Sequence, residues 1–191
     1  MKVLDLFCGM GGWSIGFHRQ GFECIGLDIT DLGYPYEFIQ KDIRTIQEPL
    51  GKFDAVVASP PCVYYSQARN TKPREYEKGD ELVKEAARVI QLHEPEFWII
   101  ENVRGAVSHI SRILGSKPIY SRGPQFLWGK FPSPLVPEQS FRKLGFWTNE
   151  TSYERRREDY IKLRQAIRSI VPLGLASPIA EAMISKAKVI T

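Results

Sequence analysis

Apolar residues in this chain gather in short unbroken runs, separated by glycine, proline and polar clusters rather than strictly alternating. Lys2–Phe7 (KVLDLF), Glu23–Ile29 (ECIGLDI), Phe53–Ser59 (FDAVVAS) and Phe97–Val103 (FWIIENV) each read as a buried strand. Trp13–Gln20 reads as a helix stopped by Gly21. Asp80–His93 sets Leu82, Val83, Ala86, Ala87 and Ile90 on one face of a second helix. Near-continuous apolar strands alternating with helices imply an α/β fold, a mostly parallel sheet with helices on both faces. Val63–Gly79 is polar, basic and rich in turn residues, and is expected to form a mobile loop. Pro118–Pro137 holds five prolines and the aromatics Tyr120, Phe126, Trp128 and Phe131, so irregular structure is expected around one late strand near Gln125–Trp128. Tyr153–Ile170 and Ala176–Lys186 complete the pattern as helices. No internal repeat and no low-complexity tract interrupts it.

Composition narrows the class. At 191 residues with 43% hydrophobic and 25% charged positions, the chain suits one globular domain with a substantial core. No apolar run approaches the roughly 18–20 residues that span a bilayer, so no membrane partner is expected. The opening MKVLDLFCGMGG lacks the features of a secretory signal, which points to an intracellular, cytoplasmic protein. Three cysteines without a CxxC pair, and three scattered histidines, make a disulfide framework or a metal site a poor expectation. The net charge of +4 is localised: eight basic residues against four acidic ones lie between Arg142 and Arg168. Such a patch suits a polyanion, although a solvated amphipathic helix explains the charge alone equally well.

Three motifs carry chemistry, and each falls at the carboxyl end of an expected strand, where ligands of such sheets bind. Asp5-Leu6-Phe7-Cys8-Gly9-Met10-Gly11-Gly12 joins a strand to a helix through glycines that permit a tight turn and close backbone approach. Such glycines serve structure as often as ligands. Asp28 ends the second strand nineteen residues after Gly9, a spacing suited to accepting ribose hydroxyls. Neither GxGxxG nor a Walker lysine is present. In Ser59-Pro60-Pro61-Cys62, two prolines stiffen a strand exit and fix where the thiol points. A depressed pKa there makes Cys62 a nucleophile, whereas Cys8 and Cys24 fit the commoner fate of a small core residue. Glu101-Asn102-Val103 places an acid directly after four apolar residues. Burial raises the pKa of such a group and lets it hold a proton near neutrality; a salt bridge to Arg104 or another base is the competing explanation.

In this order, DLFCGMGG, SPPCVYYS and ENV resemble the C5-cytosine DNA methyltransferase family over Met1 to about Pro132, with VPLGLASPIAEAM near Val171–Met183 resembling its C-terminal motif. The resemblance implies a Rossmann-like S-adenosylmethionine-dependent fold, with residues 1–191 as one catalytic domain and 133–170 as a small basic segment in place of a full target-recognition domain. It implies S-adenosyl-L-methionine as cofactor, held by Phe7, Gly9, Gly11, Gly12, Asp28, Asp42 and Pro61. It makes Cys62 the nucleophile, Glu101 the acid that grips cytosine and Arg122 the arginine that orients this site, although the family's QxRxR pattern is missing around it. Ser66, Arg69, Lys72, Arg155, Arg156 and Arg157 are the expected nucleic-acid contacts. Double-stranded DNA is the expected partner, with a protein partner supplying target specificity. The rivals are an RNA cytosine-5 methyltransferase, a catalytically silent DNA-binding or regulatory homologue, and an amino-methyltransferase, which needs an aromatic residue where Cys62 stands.

Overall fold

A computed structural model describes residues 1–65, 74–134, 171 and 173–190. Its strands are β1 (Lys2–Leu6), β2 (Glu23–Asp28), β3 (Glu37–Gln40), β4 (Ala55–Ala58), β5 (Phe97–Val103), β6 (Tyr120–Arg122) and β7 (Gln125–Lys130). Its helices are α1 (Gly12–His18), α2 (Tyr76–His93), α3 (Val107–Leu114) and α4 (Leu173–Ile190). The strands form one sheet in the order β3-β2-β1-β4-β5-β7-β6. The first five are parallel, and β7 runs antiparallel to both β5 and β6. This is the mostly parallel sheet that the apolar runs imply.

Alternation along each strand divides the core in two. Leu4, Leu6, Val56, Ala58, Ile100 and Trp128 face α2 and α3, where Val83, Ala86, Val89, Ile90 and Ile110 meet them. Val3, Ala55, Val57, Ile99 and Leu127 face α1 and α4, against Trp13, Phe17, Leu175, Ala176, Ile179 and Met183. Helices therefore cover both faces. The final helix reaches α1 closely at one point: a Cβ on Gly16 would overlap the Ala176 methyl and crowd the Ser177 backbone. The Ser177 hydroxyl donates to the Gly16 carbonyl at 3.2 Å. No helix among the described residues is long and apolar enough to cross a membrane.

Several boundaries differ from the sequence reading, for physical reasons. Helix α2 begins at Tyr76, inside the stretch expected as loop, because tertiary contacts recruit a polar turn. The Tyr76 ring stacks on His109, with centroids 4.4 Å apart, and Gly79 lies against the Tyr65 ring. The proline-rich region forms a hairpin instead of one strand, turning at Gly123 (φ 56°) and Pro124. Strand β3 and helix α3 are additions to the expected elements. A local signal for α3 exists, since Val107, Ile110, Ile113 and Leu114 recur at helical spacing. The expected helix Tyr153–Ile170 lies outside the described residues.

Gly16→Ala should destabilise the protein by about 1–3 kcal/mol through overpacking, despite a helix-propensity gain of up to about 1 kcal/mol. Urea unfolding measures this; a more stable variant would show that α1 and α4 do not meet so closely.

Candidate active site

Register builds the site. Leu27, Leu6, Ala58 and Ile100 form one row across β2, β1, β4 and β5. The next residues along the chain are Asp28, Phe7, Ser59 and Glu101, so these four lie side by side towards the carboxyl edge, Phe7 and Ser59 just past the ends of β1 and β4. The ladder continues into the row, with Cys8 N donating to Leu27 O at 3.3 Å and Ser59 N to Leu6 O at 3.2 Å.

The turn from β1 to α1 is unusual backbone. Phe7 (φ 57°), Gly9 (φ 51°) and Gly11 (φ 81°) are all left-handed. Phe7 is the informative member, because a bulky residue avoids that region unless its surroundings enforce it. A pocket opens here, lined by Asp5, Phe7, Cys8, Gly9, Met10, Gly12, Trp13, Ser59 and Val171. Of the expected cofactor residues, Phe7, Gly9 and Gly12 line it; Gly11, Asp28, Asp42 and Pro61 do not. Asp28 is nevertheless tied to it, since its Oδ2 accepts from Gly9 N at 3.0 Å and its Oδ1 from Thr30 N at 3.3 Å. Asp42 caps the short turn after β3, and the Arg44 guanidinium grips its carboxylate at 2.6–3.1 Å. That hydrogen bonding holds the Asp42 carboxyl below the usual range.

Beneath the pocket floor, Tyr34 OH donates to Ser14 Oγ at 2.6 Å, which donates to Asp5 Oδ2 at 2.7 Å. Burial pushes Asp5 up to about 7 even so. Cys8 and Cys24 are buried core thiols, as expected, and burial pushes Cys24 up to about 12.

The exit of β4 presents the nucleophile candidate. Asn102, fully buried, donates through Nδ2 to the Pro60 carbonyl at 2.9 Å and accepts from Val103 N at 2.9 Å. It braces the two prolines from the neighbouring strand. Cys62 opens a short 3-10 turn, closed by Tyr65 N donating to Cys62 O at 3.0 Å. Tyr65 is wholly buried, and its hydroxyl donates to Asp80 at 2.9 Å. Asp80 also contacts His109 and Arg112, so α2 and α3 anchor the end of the Cys62 turn. Tyr65 is therefore a brace for that turn.

One sequence expectation is corrected. The Cys62 thiol is not depressed; burial first, and the Glu101 charge second, push it up. Glu101 itself is 9% exposed, and burial raises it to about 7. The competing ion pair with Arg104 is not formed: that guanidinium lies 5.5 Å from the Phe126 ring. The acid and thiol thus share a site that disfavours two negative charges.

Arg122 lies on β6, across β7 from β5. Tyr120 pairs with Leu127, which pairs with Glu101, and Arg122 follows two residues on, sharing the face of Glu101. Ser66, Arg69, Lys72, Arg155, Arg156 and Arg157 lie outside the described residues. Sequence reasoning missed Asp5, Met10, Trp13 and Val171 as pocket walls, and Ser59 and Asn102 as braces. Trp13 and Ser59 are 46 positions apart, so only pairing of β1 with β4 joins them.

Comparison with known proteins shows the family to which the chain belongs. The model of the C-5 cytosine-specific DNA methylase family matches residues 1–115, which includes Cys62 and Glu101 and ends just beyond α3. Type II methyltransferase M.FnuDI of Fusobacterium nucleatum is 38% identical over 117 residues, covering 56% of this chain and 34% of that protein. A probable DNA (cytosine-5)-methyltransferase of frog virus 3 is 32% identical over 115 residues, covering 53% of each. The chain thus spans a third to a half of the length of these relatives. A putative DNA modification methyltransferase encoded within an E. coli prophage shares the fold, with TM-score 0.53 at 20% identity over 68% of this chain and 46% of that one.

Two outcomes follow from the buried acid. An ordinary Glu carboxyl titrates near 4.5 and Glu101 near 7, so between those values the folded state holds a proton that the unfolded chain has lost. Stability contributed by this group is therefore full below about pH 4.5 and falls as pH rises towards 7. Asp5, raised from 3.8 to about 7, acts with the same sign. Glu101→Gln should leave only the Asp5 share, roughly halving the loss of denaturant stability between about pH 5 and 7.5; an unchanged loss would contradict the burial. The same variant removes the charge felt by Cys62, so iodoacetamide should label that thiol faster than in the parent at about pH 8. Equal rates would show no electrostatic link.

Proposed function

We propose, because this chain belongs to the C-5 cytosine-specific DNA methylase family, that it transfers a methyl group from S-adenosyl-L-methionine to carbon 5 of cytosine in DNA. The observation that carries this reading is the placing of Cys62 beside a buried acid near neutral pKa, at neighbouring strand ends and next to a glycine-turn pocket. The cofactor fits the residues present: a left-handed Phe7–Gly11 turn leaves room for close approach, and Asp28 keeps lone pairs for ribose hydroxyls. Phe7, Gly9, Gly12, Trp13 and Met10 would hold it, with Val171 closing the pocket from the C-terminal segment. When bound, S-adenosylmethionine supplies an electrophilic methyl group.

The protein's own residues prepare the acceptor. Carbon 5 of cytosine is a poor nucleophile until a thiolate adds at carbon 6. Cys62 forms that sulfur–carbon bond, and the ring electrons move to make carbon 5 nucleophilic. Glu101, protonated, donates to N3 and offsets the negative charge that develops there. Because the Glu101 carboxylate opposes thiolate formation, its protonation also favours the reactive form of Cys62. Water then takes the carbon 5 proton, and the electrons of that bond re-form the carbon 5–carbon 6 double bond as the carbon 6–sulfur bond breaks and Cys62 leaves as thiolate. Asn102 and Tyr65 hold the Cys62 turn still, and Arg122 is assigned to orienting the acid from the same face. A base paired in a duplex must leave the stack to reach this pocket.

Phosphate contacts from Ser66, Arg69, Lys72 and the basic segment 133–170, with Arg155–Arg157, belong to the same reading. So does a partner protein supplying target specificity.

Tritiated methyl transfer to DNA and RNA tests the proposal. The parent should methylate DNA, Cys62→Ala should be inactive, and Glu101→Gln should lose about 10²–10⁴-fold. Duplex DNA carrying 5-fluorocytosine should trap a covalent complex with the parent alone. Transfer to RNA only would reassign the polymer; no transfer where the cofactor binds would leave a silent homologue.

A further inference from the structure

Beyond Glu101 the charge of the chain changes character. Residues 102–134 contain no aspartate or glutamate, yet carry Arg104, Arg112, Lys117, Arg122 and Lys130. They build the 3-10 turn Arg104–Ala106, helix α3 and the β6–β7 hairpin, all of which follow the carboxyl end of β5. Arg104, Ser108 and Arg112 are exposed there. Ser108 and Arg112 stand four residues apart on α3 and so share a face.

Both guanidiniums are held in place without being covered. Arg104 lies 5.5 Å from the centroid of the Phe126 ring, and Phe126 pairs with Asn102 beside the acid. Arg112 donates to Asp80 at 2.7 Å and keeps 70% of its side chain exposed. Asp80, on α2, is the acid in contact with this surface, and its carboxylate is shared with Tyr65 and His109. A guanidinium carries five donors, so this one contact leaves Arg112 donors for an anion. Holding both side chains beforehand cuts the entropy lost on binding.

We propose that Arg104, Ser108 and Arg112 form a phosphate-binding surface for the backbone of the DNA strand flanking the target cytosine. This deepens the methyltransferase reading and rests on it. A base delivered to Cys62 and Glu101 brings its neighbouring phosphates to the carboxyl edge of the sheet, and Arg104 stands three residues beyond the acid. Charge selects the occupant: two presented guanidiniums on an acid-free stretch of chain suit a phosphodiester. Such contacts set register and orientation on the duplex and carry no sequence information.

The test follows binding of fluorescein-labelled duplex DNA to the full-length protein by anisotropy, over about 50–200 mM salt. Arg104→Gln and Arg112→Gln should each weaken binding about eightfold at about 100 mM salt. Each should also lower the slope of log affinity against log salt by about 0.9, alike for duplexes of different sequence, and the double variant by about 1.8. Ser108→Ala removes a neutral donor and should weaken binding without changing the slope. Arg104→Lys and Arg112→Lys keep the charge and should keep the parent slope. Lys52→Gln removes one exposed charge just before β4, at the opposite edge of the sheet, and should also keep it. Three results overturn the proposal: a parent slope in the double glutamine variant, an equal fall in Lys52→Gln, or lysine variants as weak as the glutamine ones. Each of these leaves the methyltransferase reading standing, since covalent trapping on 5-fluorocytosine DNA tests it separately. A parent that binds no duplex overturns both.

Discussion

Parallel pairing of β4 between β1 and β5 is the constraint from which this site follows. In a parallel sheet all the strand ends lie on one edge, so three motifs separated by up to about a hundred residues emerge side by side. The register sharpens this. With Leu6, Ala58 and Ile100 in one row, Phe7, Ser59 and Glu101 must occupy the next, with Asp28 beyond them on β2. A slip of one residue would turn each side chain to the opposite face and take the acid out of the row it shares with Phe7 and Ser59. The two apolar cores hold that register, because a slip would also reverse Leu4 and Leu6 against Val3.

Electrostatics at this edge depends on exclusion of water more than on charge pairing. Glu101 forms no ion pair among the described residues, so desolvation governs its titration. Cys62 inherits the consequence. Its thiol is raised by the same dry environment and by the acid's charge, giving a resting site that holds at most one negative charge comfortably. A proton supplied to the acid eases ionisation of the thiol. The titration of the cysteine therefore belongs to the pair, and the strand-end position alone does not set it.

The remaining polar network is structural support for that pair. Asn102 spans from β5 to the Pro60 carbonyl, and Tyr65 ties the far end of the Cys62 turn to α2 and α3. Glycines make the approaches possible. A Cβ on Gly79 would overlap the Tyr65 ring, and one on Gly105 would overlap its carbonyl. The residues beyond the β6–β7 hairpin contribute differently, by returning Val171 to the pocket and α4 to the core that α1 shares with the sheet.

The sequence by itself determined the α/β class, four of the five parallel strands, and the three motifs, because unbroken apolar runs and proline or glycine stops are local signals. Glu101 stood out for the same reason: an acid after FWII has no local justification. Local pattern was silent where stabilisation came from distant contacts. It missed the first turn of α2, which rests on His109 and Tyr65, and the pairing that makes Tyr120–Arg122 a strand. It also gave the wrong sign for Cys62, since a thiol's pKa is set by how much water and which charges surround it. The hydrogen bond from Trp13 to Ser59 was decided by tertiary structure alone: hydrogen bonds act over about 3 Å, and only the pairing of β1 with β4 brings these residues within that reach.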